Sequence, residues 1–365
     1  MHRLPLGARE RGECLGATIG VCVGREQGAR EGPQPGGTGT RRIPPGHRRP
    51  NLAFDNPPPP PQDAPSASAV SRPGPGATTS LRRKPTMKRF LWALVALLLI
   101  PAPAWATWSI IAIDTNTGRM VISSATCAAT GPNQLRFLQA IVVPGVAIAA
   151  AQAGVDRTQA NHRLIFEELQ KRTHPEQIIK LLEADPNIES RQFGIVDMMG
   201  RTAGRTGANN RDAALHVAGE SPDGIIFMVQ GNIIMSDEAM LEAARIMEED
   251  TSPIIDRVML AMERTDELGG DSRCTCETEP LPAGAICTGK TSHVAYIVAA
   301  DPHDPMSTFS INHPEDLRAP YNAGNYFLEI GVWPANTLPT EDANPMRTLR
   351  MRYDTWKSLW EASNP

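Results

Sequence analysis

The chain has 365 residues and a formal net charge of −4, and that charge is unevenly spread. Residues 1–86 hold 13 Lys/Arg against 6 Asp/Glu, whereas residues 107–365 hold 21 against 34, a net of −13. So acidic a part lacks the basic patches that nucleic acid or an anionic membrane surface requires, which excludes those partners and favours small or neutral substrates.

Residues 1–86 are rich in Pro, Gly, Arg and Ser, include "PPPPP" at 57–61, and have Phe54 as their only aromatic residue. This composition buries too little apolar surface to offset the entropy of ordering it, so a disordered leader is expected. After Met1 the next methionine is Met87, which is expected to be the true start because a complete export signal begins there. "MKRFLWALVALLLIPAPAWA", residues 87–106, combines basic Lys88 and Arg89, an apolar run from Phe90 to Ile100, and the small-residue cleavage site Ala104-Trp105-Ala106. A spanning helix needs about 20 apolar residues, so this shorter run reads as a signal peptide and no stable membrane anchor is expected. Cleavage after Ala106 would release residues 107–365 as one periplasmic or secreted domain.

"TWSIIAID" and "RMVISSAT", joined by the turn "TNTG" at 115–118, predict a β-hairpin led by Thr107. "AIVVPGVAIAAAQ", 140–152, predicts a strand pair buried on both faces. Two helices follow, in "RTQANHRLIFEELQKR" and in "THPEQIIKLLEAD", where Thr173 and Glu176 stand at capping-box spacing. "RQFGIVDMMGRTAGRTG" predicts a hairpin turning at Met199-Gly200, and "GIIFMVQGN" a buried strand. A helix pair broken near Thr251-Ser252-Pro253 comes next, with Met240, Met247, Met259 and Met262 as core filler. Strands in "SHVAYIVAA" and "NYFLEIGVW" and a helix from about Asn344 to Trp360 complete an α+β order, which suggests two stacked sheets with helices on both outer faces.

Cys127, Cys274, Cys276 and Cys287 are an even set, which in an oxidising compartment favours disulfides, with Cys274 or Cys276 closing a short loop onto Cys287. Zinc held by these cysteines with His293 is the competing reading, although the spacing matches no common zinc knuckle. The loop "DPHDP" at 301–305 offers carboxylates for a metal or ordinary turn chemistry.

The chain lacks a G-x-S-x-G elbow, an H-E-x-x-H helix, a P-loop and a G-x-G-x-x-G after a strand. What it offers is Thr107 behind a cleavage site. A threonine hydroxyl attacks a carbonyl only when a base takes its proton, and an N-terminal threonine carries that base as its own α-amine. Export cleavage would then double as activation. The structural alternative is that threonine at this position is simply a good strand former.

"TWSIIAIDTNTGRMVISSAT", "AIAAAQAGVD", "ADPNIESRQFGIVDMMGRTAGRTG", "VQGNI" and "GGDSR", in this order, resemble the family called domain of unknown function 1028 over nearly all of 107–365, with a cysteine-containing insertion at about 274–291. The resemblance implies the N-terminal-nucleophile hydrolase superfamily and its four-layer αββα sandwich. Carried over by position, it implies Thr107 as nucleophile and base. Asp114 would orient a neighbour or cap the hairpin, and Gln152, Gln230 and Asn232 would donate to an oxyanion or satisfy strand ends. Asp271 and Arg273 would form a substrate-binding ion pair or end a helix. Where many relatives have a lysine after the second strand, this chain has Thr126-Cys127. The expected activity is hydrolysis of an amide bond in a small-molecule or peptide substrate, with no cofactor and no metal. The alternative is a non-catalytic exported module that binds a small ligand, and homo-oligomer formation is left open.

Overall fold

A computed structural model describes residues 107–128, 134–211, 213–310 and 317–364. The leader and the signal peptide read at 1–86 and 87–106 lie outside the described residues. Strands β1 (Thr107–Asp114) and β2 (Met120–Thr126) form the expected hairpin, and β3 (Ala140–Val143) pairs with β4 (Ala147–Ala153). The hairpin turn is closed by the Asp114 carboxylate, which accepts from the backbone N–H of Asn116 at 2.9 Å and from Thr117 Oγ1 at 2.7 Å. Gly118 completes the turn at φ +74°, where a Cβ would stand 2.5 Å from Pro302 Cγ, so the position needs glycine on both counts.

Next come α1 (Gln134–Phe137), α2 (Ala160–Gln170), α3 (Pro175–Leu182), β5 (Arg191–Asp197) and β6 (Thr202–Thr206). They are followed by β7 (Leu215–Glu220), β8 (Ile225–Asn232), α4 (Asp237–Glu249) and α5 (Ile254–Glu267). The last elements are β9 (Val294–Ala300), β10 (Leu328–Val332) and α6 (Pro345–Ser363). All strand pairs are antiparallel, in a six-stranded sheet β10-β9-β2-β1-β8-β7 and a four-stranded sheet β3-β4-β5-β6.

Three apolar clusters hold these parts together. Alternation along β1 sends Trp108, Ile110 and Ala112 against Met240, Met247, Met259 and Met262 of α4 and α5 and against Leu349 of α6. It sends Ile111 and Ile113 the other way, against Ile148 and Ala150 of β4 and Val196 of β5, so the two sheets pack face to face. The outer face of the smaller sheet, through Ile141, Ala149 and Phe193, meets Ile165, Leu169, Ile178 and Leu182 of α2 and α3. The mixed helix and sheet class read from the sequence is therefore the observed one, and the four methionines are fully buried filler.

Three local expectations change. The cap of α3 is His174, whose Nδ1 accepts from Glu176 N at 3.3 Å, while Thr173 instead donates from Oγ1 to Glu168 at 2.6 Å. The strand β7 escapes periodicity because it is a half-exposed edge whose apolar side chains are few. The short helix α1 is a single turn, too brief for a periodic signal.

The cysteines pair as Cys127–Cys274 and Cys276–Cys287, which removes the thiolates that the zinc reading required. Among the described residues no group of three or more His, Cys, Asp or Glu side chains is placed to hold a metal ion. In the 301–305 loop, Asp301 pairs with Arg119 and Asp304 Oδ2 accepts from the backbone N–H groups of Asp301 and Phe327, so both carboxylates serve the turn.

The two bridges differ in the chain they close, 147 residues of separation against 11. Loop-closure entropy assigns about 5 kcal/mol to the first and about 3 kcal/mol to the second. Urea unfolding of Cys127→Ala/Cys274→Ala should therefore show the larger loss, and a larger loss in Cys276→Ala/Cys287→Ala would contradict this ranking.

Candidate active site

Along five strands, the side chains pointing between the sheets change from apolar to polar toward the same end. On β1 the series is Ile113, Ile111, Ser109, Thr107; on β2 it is Met120, Ile122, Ser124, Thr126; on β8 it is Ile226, Met228, Gln230, Asn232. On β4, Ile148 and Ala150 lead to Gln152, and on β5, Val196 and Gly194 lead to Gln192. Gly194 matters here, since a Cβ on it would stand 2.6 Å from Gln230 Oε1 and 2.7 Å from Met228 Sδ.

Thr107 sits in the middle of this polar end. Its Cα partners are Thr126 on one side and Asn232 on the other, and Thr126 is in turn opposite Val294. The Thr107 hydroxyl donates to Thr126 Oγ1 at 3.2 Å, and the Thr107 carbonyl accepts from Gln152 Nε2 at 3.1 Å. Gln152 also donates to Gln192 Oε1 at 2.7 Å, and its own Oε1 accepts from Ser109 Oγ and from Gln139 Nε2, both at 2.7 Å. Gln139 Oε1 accepts from the Tyr296 hydroxyl at 2.7 Å, and Asn232 Nδ2 donates to Gln192 Oε1 at 3.2 Å. All of these groups are buried. Burial also raises the Tyr296 pKa, so its hydroxyl keeps its proton and acts as a donor.

Of the residues read from the sequence, Thr107, Gln152 and Asn232 are brought into direct neighbourhood. Gln230 lies one inward step away, opposite Ser109, with Nε2 3.4 Å from the Ala150 carbonyl. Gln230 Oε1 and Asn232 Oδ1 are buried with no hydrogen-bond partner among the described residues.

Asp271 and Arg273 do form an ion pair, at 2.8 Å, beside the end of β2: Asp271 Oδ2 accepts from the Cys127 backbone N–H at 2.9 Å. Of the two readings of Asp114, the hairpin cap is the one observed, and its place among the catalytic residues is corrected. It stands at the opposite end of β1 from Thr107, seven residues or about 23 Å away at strand rise, and its oxygens are committed to the hairpin turn.

Sequence reading missed Gln139, Gln192 and Ser109, and named Thr126 only as standing, with Cys127, where relatives have a lysine. The available signal was a polar residue at an inward position of an otherwise apolar strand, as in "RQFGIVD", but only pairing shows which of these meet.

His293 borders the site, donating its backbone N–H to the Thr126 carbonyl at 2.7 Å. Burial pushes its pKa down to about 4, helped by the positive charges of Lys290 and Arg273 and opposed by Asp271, so the ring is neutral near pH 7. Burial likewise lowers Lys290 to about 8, with Glu279 opposing, while its Nζ donates to the carbonyls of Thr278 and Pro280.

The two sheets and their shared buried polar end define an α+β protein with a candidate site between antiparallel sheets. The chain belongs to the family of unknown function DUF1028, whose family model matches residues 107–305. Among solved structures it is similar to the crystal structure of a Silicibacter pomeroyi protein of the same family model, at 16% identity and a TM-score of 0.46, covering 68% of this chain and 88% of that one. No curated protein matches the chain.

His293 and His162, the latter also pushed down to about 4 by burial, bind protons in the unfolded chain near pH 6.5 but not in the folded one until about pH 4. Their contribution is complete above pH 6.5 and is lost as pH falls toward 4, at about 2 kcal/mol per histidine by pH 5. Urea midpoints measured from pH 7 to pH 5 should fall less steeply in His293→Gln than in the unsubstituted protein. Equal slopes would contradict the assignment.

Proposed function

We propose that this protein is an exported N-terminal-threonine amidohydrolase of the N-terminal-nucleophile type, built on the four-layer αββα sandwich of that superfamily. The observation that carries the reading is the position of Thr107. It is the first residue of a central strand, its hydroxyl lies at the polar end of the space between the sheets, and a cleavage signal precedes it. Helices against the outer face of each sheet support the layered fold, and two disulfides support an oxidising destination. Among the described residues, no helix is long and apolar enough to cross a membrane.

In this mechanism, cleavage after Ala106 converts the Thr107 amide nitrogen into an α-amine, whose reference pKa of about 7.7–8.0 leaves a useful neutral fraction at physiological pH. The amine takes the Oγ proton as Oγ attacks the amide carbonyl, giving a tetrahedral alkoxide. The ammonium then protonates the leaving nitrogen as the C–N bond breaks, which leaves an ester on Oγ. Water, deprotonated by the same amine, attacks the ester, releases the acid and restores the threonine. Asn232 Nδ2 has one hydrogen directed to Gln192 and a second that can serve the alkoxide. Gln152 holds the Thr107 carbonyl and so fixes the orientation of the nucleophile. Thr126, one of the pair Thr126-Cys127 that stands where the resemblance has a lysine, positions the hydroxyl by hydrogen bonding, without a charge.

An acylating β-lactone probe should label the exported protein at Thr107, label Thr107→Ser, and leave Thr107→Ala unlabelled. The labelling rate should rise with pH through about 8 as the amine becomes neutral. Labelling of Thr107→Ala equal to that of the unsubstituted protein would refute the mechanism. A folded protein that no such probe labels would favour a non-catalytic module that binds a small ligand on the same fold.

A further inference from the structure

A second pocket lies on the same inner face of the six-stranded sheet. It is lined by Leu135 and Arg136 of α1, Val294 and Tyr296 of β9, and Ile330 and Trp333 at β10. Val294 is the cross-strand partner of Thr126, which is the partner of Thr107, so two strand spacings, about 10 Å, separate this wall from the nucleophile. Tyr296 connects the two places directly, through its hydroxyl bond to Gln139 and from there through Gln152 to the Thr107 carbonyl.

The pocket contains a buried cation whose counterion is half-exposed. Arg136 is 7% exposed, and its Nε has no hydrogen-bond partner among the described residues. Its Nη1 meets the Glu329 carboxylate, whose side chain is 42% exposed, and its guanidinium lies 4.5 Å over the Phe137 ring. A buried guanidinium offers a planar fork of donors, and the carboxylate that answers it here belongs to a half-exposed side chain at the mouth. Ion pairs with an exposed partner contribute little, so a carboxylate arriving from outside would compete with Glu329 on near-equal terms. Leu135, Val294 and Trp333 complete the apolar walls beside the guanidinium.

We propose that this pocket anchors the carboxylate end of a short peptide-like amide, so that the substrate class is anionic acyl-peptides rather than neutral amides. The proposal rests on Thr107 being the nucleophile. At about 3.3–3.6 Å per extended residue, the 10 Å separation places the bond to be cleaved about three residues from the anchored carboxylate. Arg136 is a substrate-binding residue in this account, and Glu329 is the internal ligand that holds its place.

The test is a binding titration in the Thr107→Ala background, where turnover does not interfere, using acetyl-Gly-Ala-Leu with a free C-terminal carboxylate and the same peptide as its C-terminal amide. The acid should bind at least about tenfold more tightly than the amide, the order that a charge-assisted pair supplies. Arg136→Met should abolish that preference, and Glu329→Gln, at a half-exposed position, should strengthen acid binding several-fold. Equal binding of acid and amide, binding of neither, or a preference that survives in Arg136→Met overturns the proposal. These outcomes are separate from the labelling of Thr107, so a failed anchor and a failed nucleophile give different results. Should Arg136→Met fail to fold, a Glu329→Gln variant with unchanged acid affinity overturns it equally.

Discussion

The side-chain amide of Gln152 joins the two sheets and fixes the start of β1. It donates twice, to the Thr107 carbonyl and to Gln192, and accepts twice, from Ser109 and from Gln139. That uses the whole hydrogen-bonding capacity of a primary amide, away from solvent. Each unmet group in such a place costs about 1–3 kcal/mol, so the partners around Gln152 are held as a set rather than singly. Thr107 is positioned by this set.

The rest of the molecule makes that arrangement affordable. Trp108, Ile110 and Ala112 bind one face of β1 to α4, α5 and α6, and Ile111 and Ile113 bind its other face to β4 and β5. The strand that begins with Thr107 is therefore central in its sheet, flanked by β2 and β8 and buried on both faces. Apolar packing fills the space between the sheets at one end, and the polar groups gather at the other. The Cys127–Cys274 bridge fastens the end of β2 to the loop that carries Asp271 and Arg273.

Much of this was legible in the residues. Alternating and continuous apolar runs located nine of the ten strands among the described residues, and breaks at Gly118, Gly200 and Pro253 located their turns and the helix pair. Thr107, Gln152 and Asn232 were readable as polar groups at strand ends. Their neighbours Gln139, Gln192 and Tyr296 were not, because nothing local records which strand ends meet across a sandwich. Asp114 was readable either as a partner of Thr107 or as a hairpin cap, and strand length, which carries it to the far end of β1, favours the turn that its oxygens serve. Arg136 was hidden because a single helical turn gives no periodic signal, and only packing shows that its guanidinium is buried.

All of the chemistry proposed for this fold depends on a free amine at Thr107. Intact mass and N-terminal sequencing of the protein recovered from cells that express the full chain measure that directly. The account predicts a product whose first residue is Thr107. A product beginning at Trp105 or at Trp108 would leave the threonine without its base, or remove it, and would contradict the account.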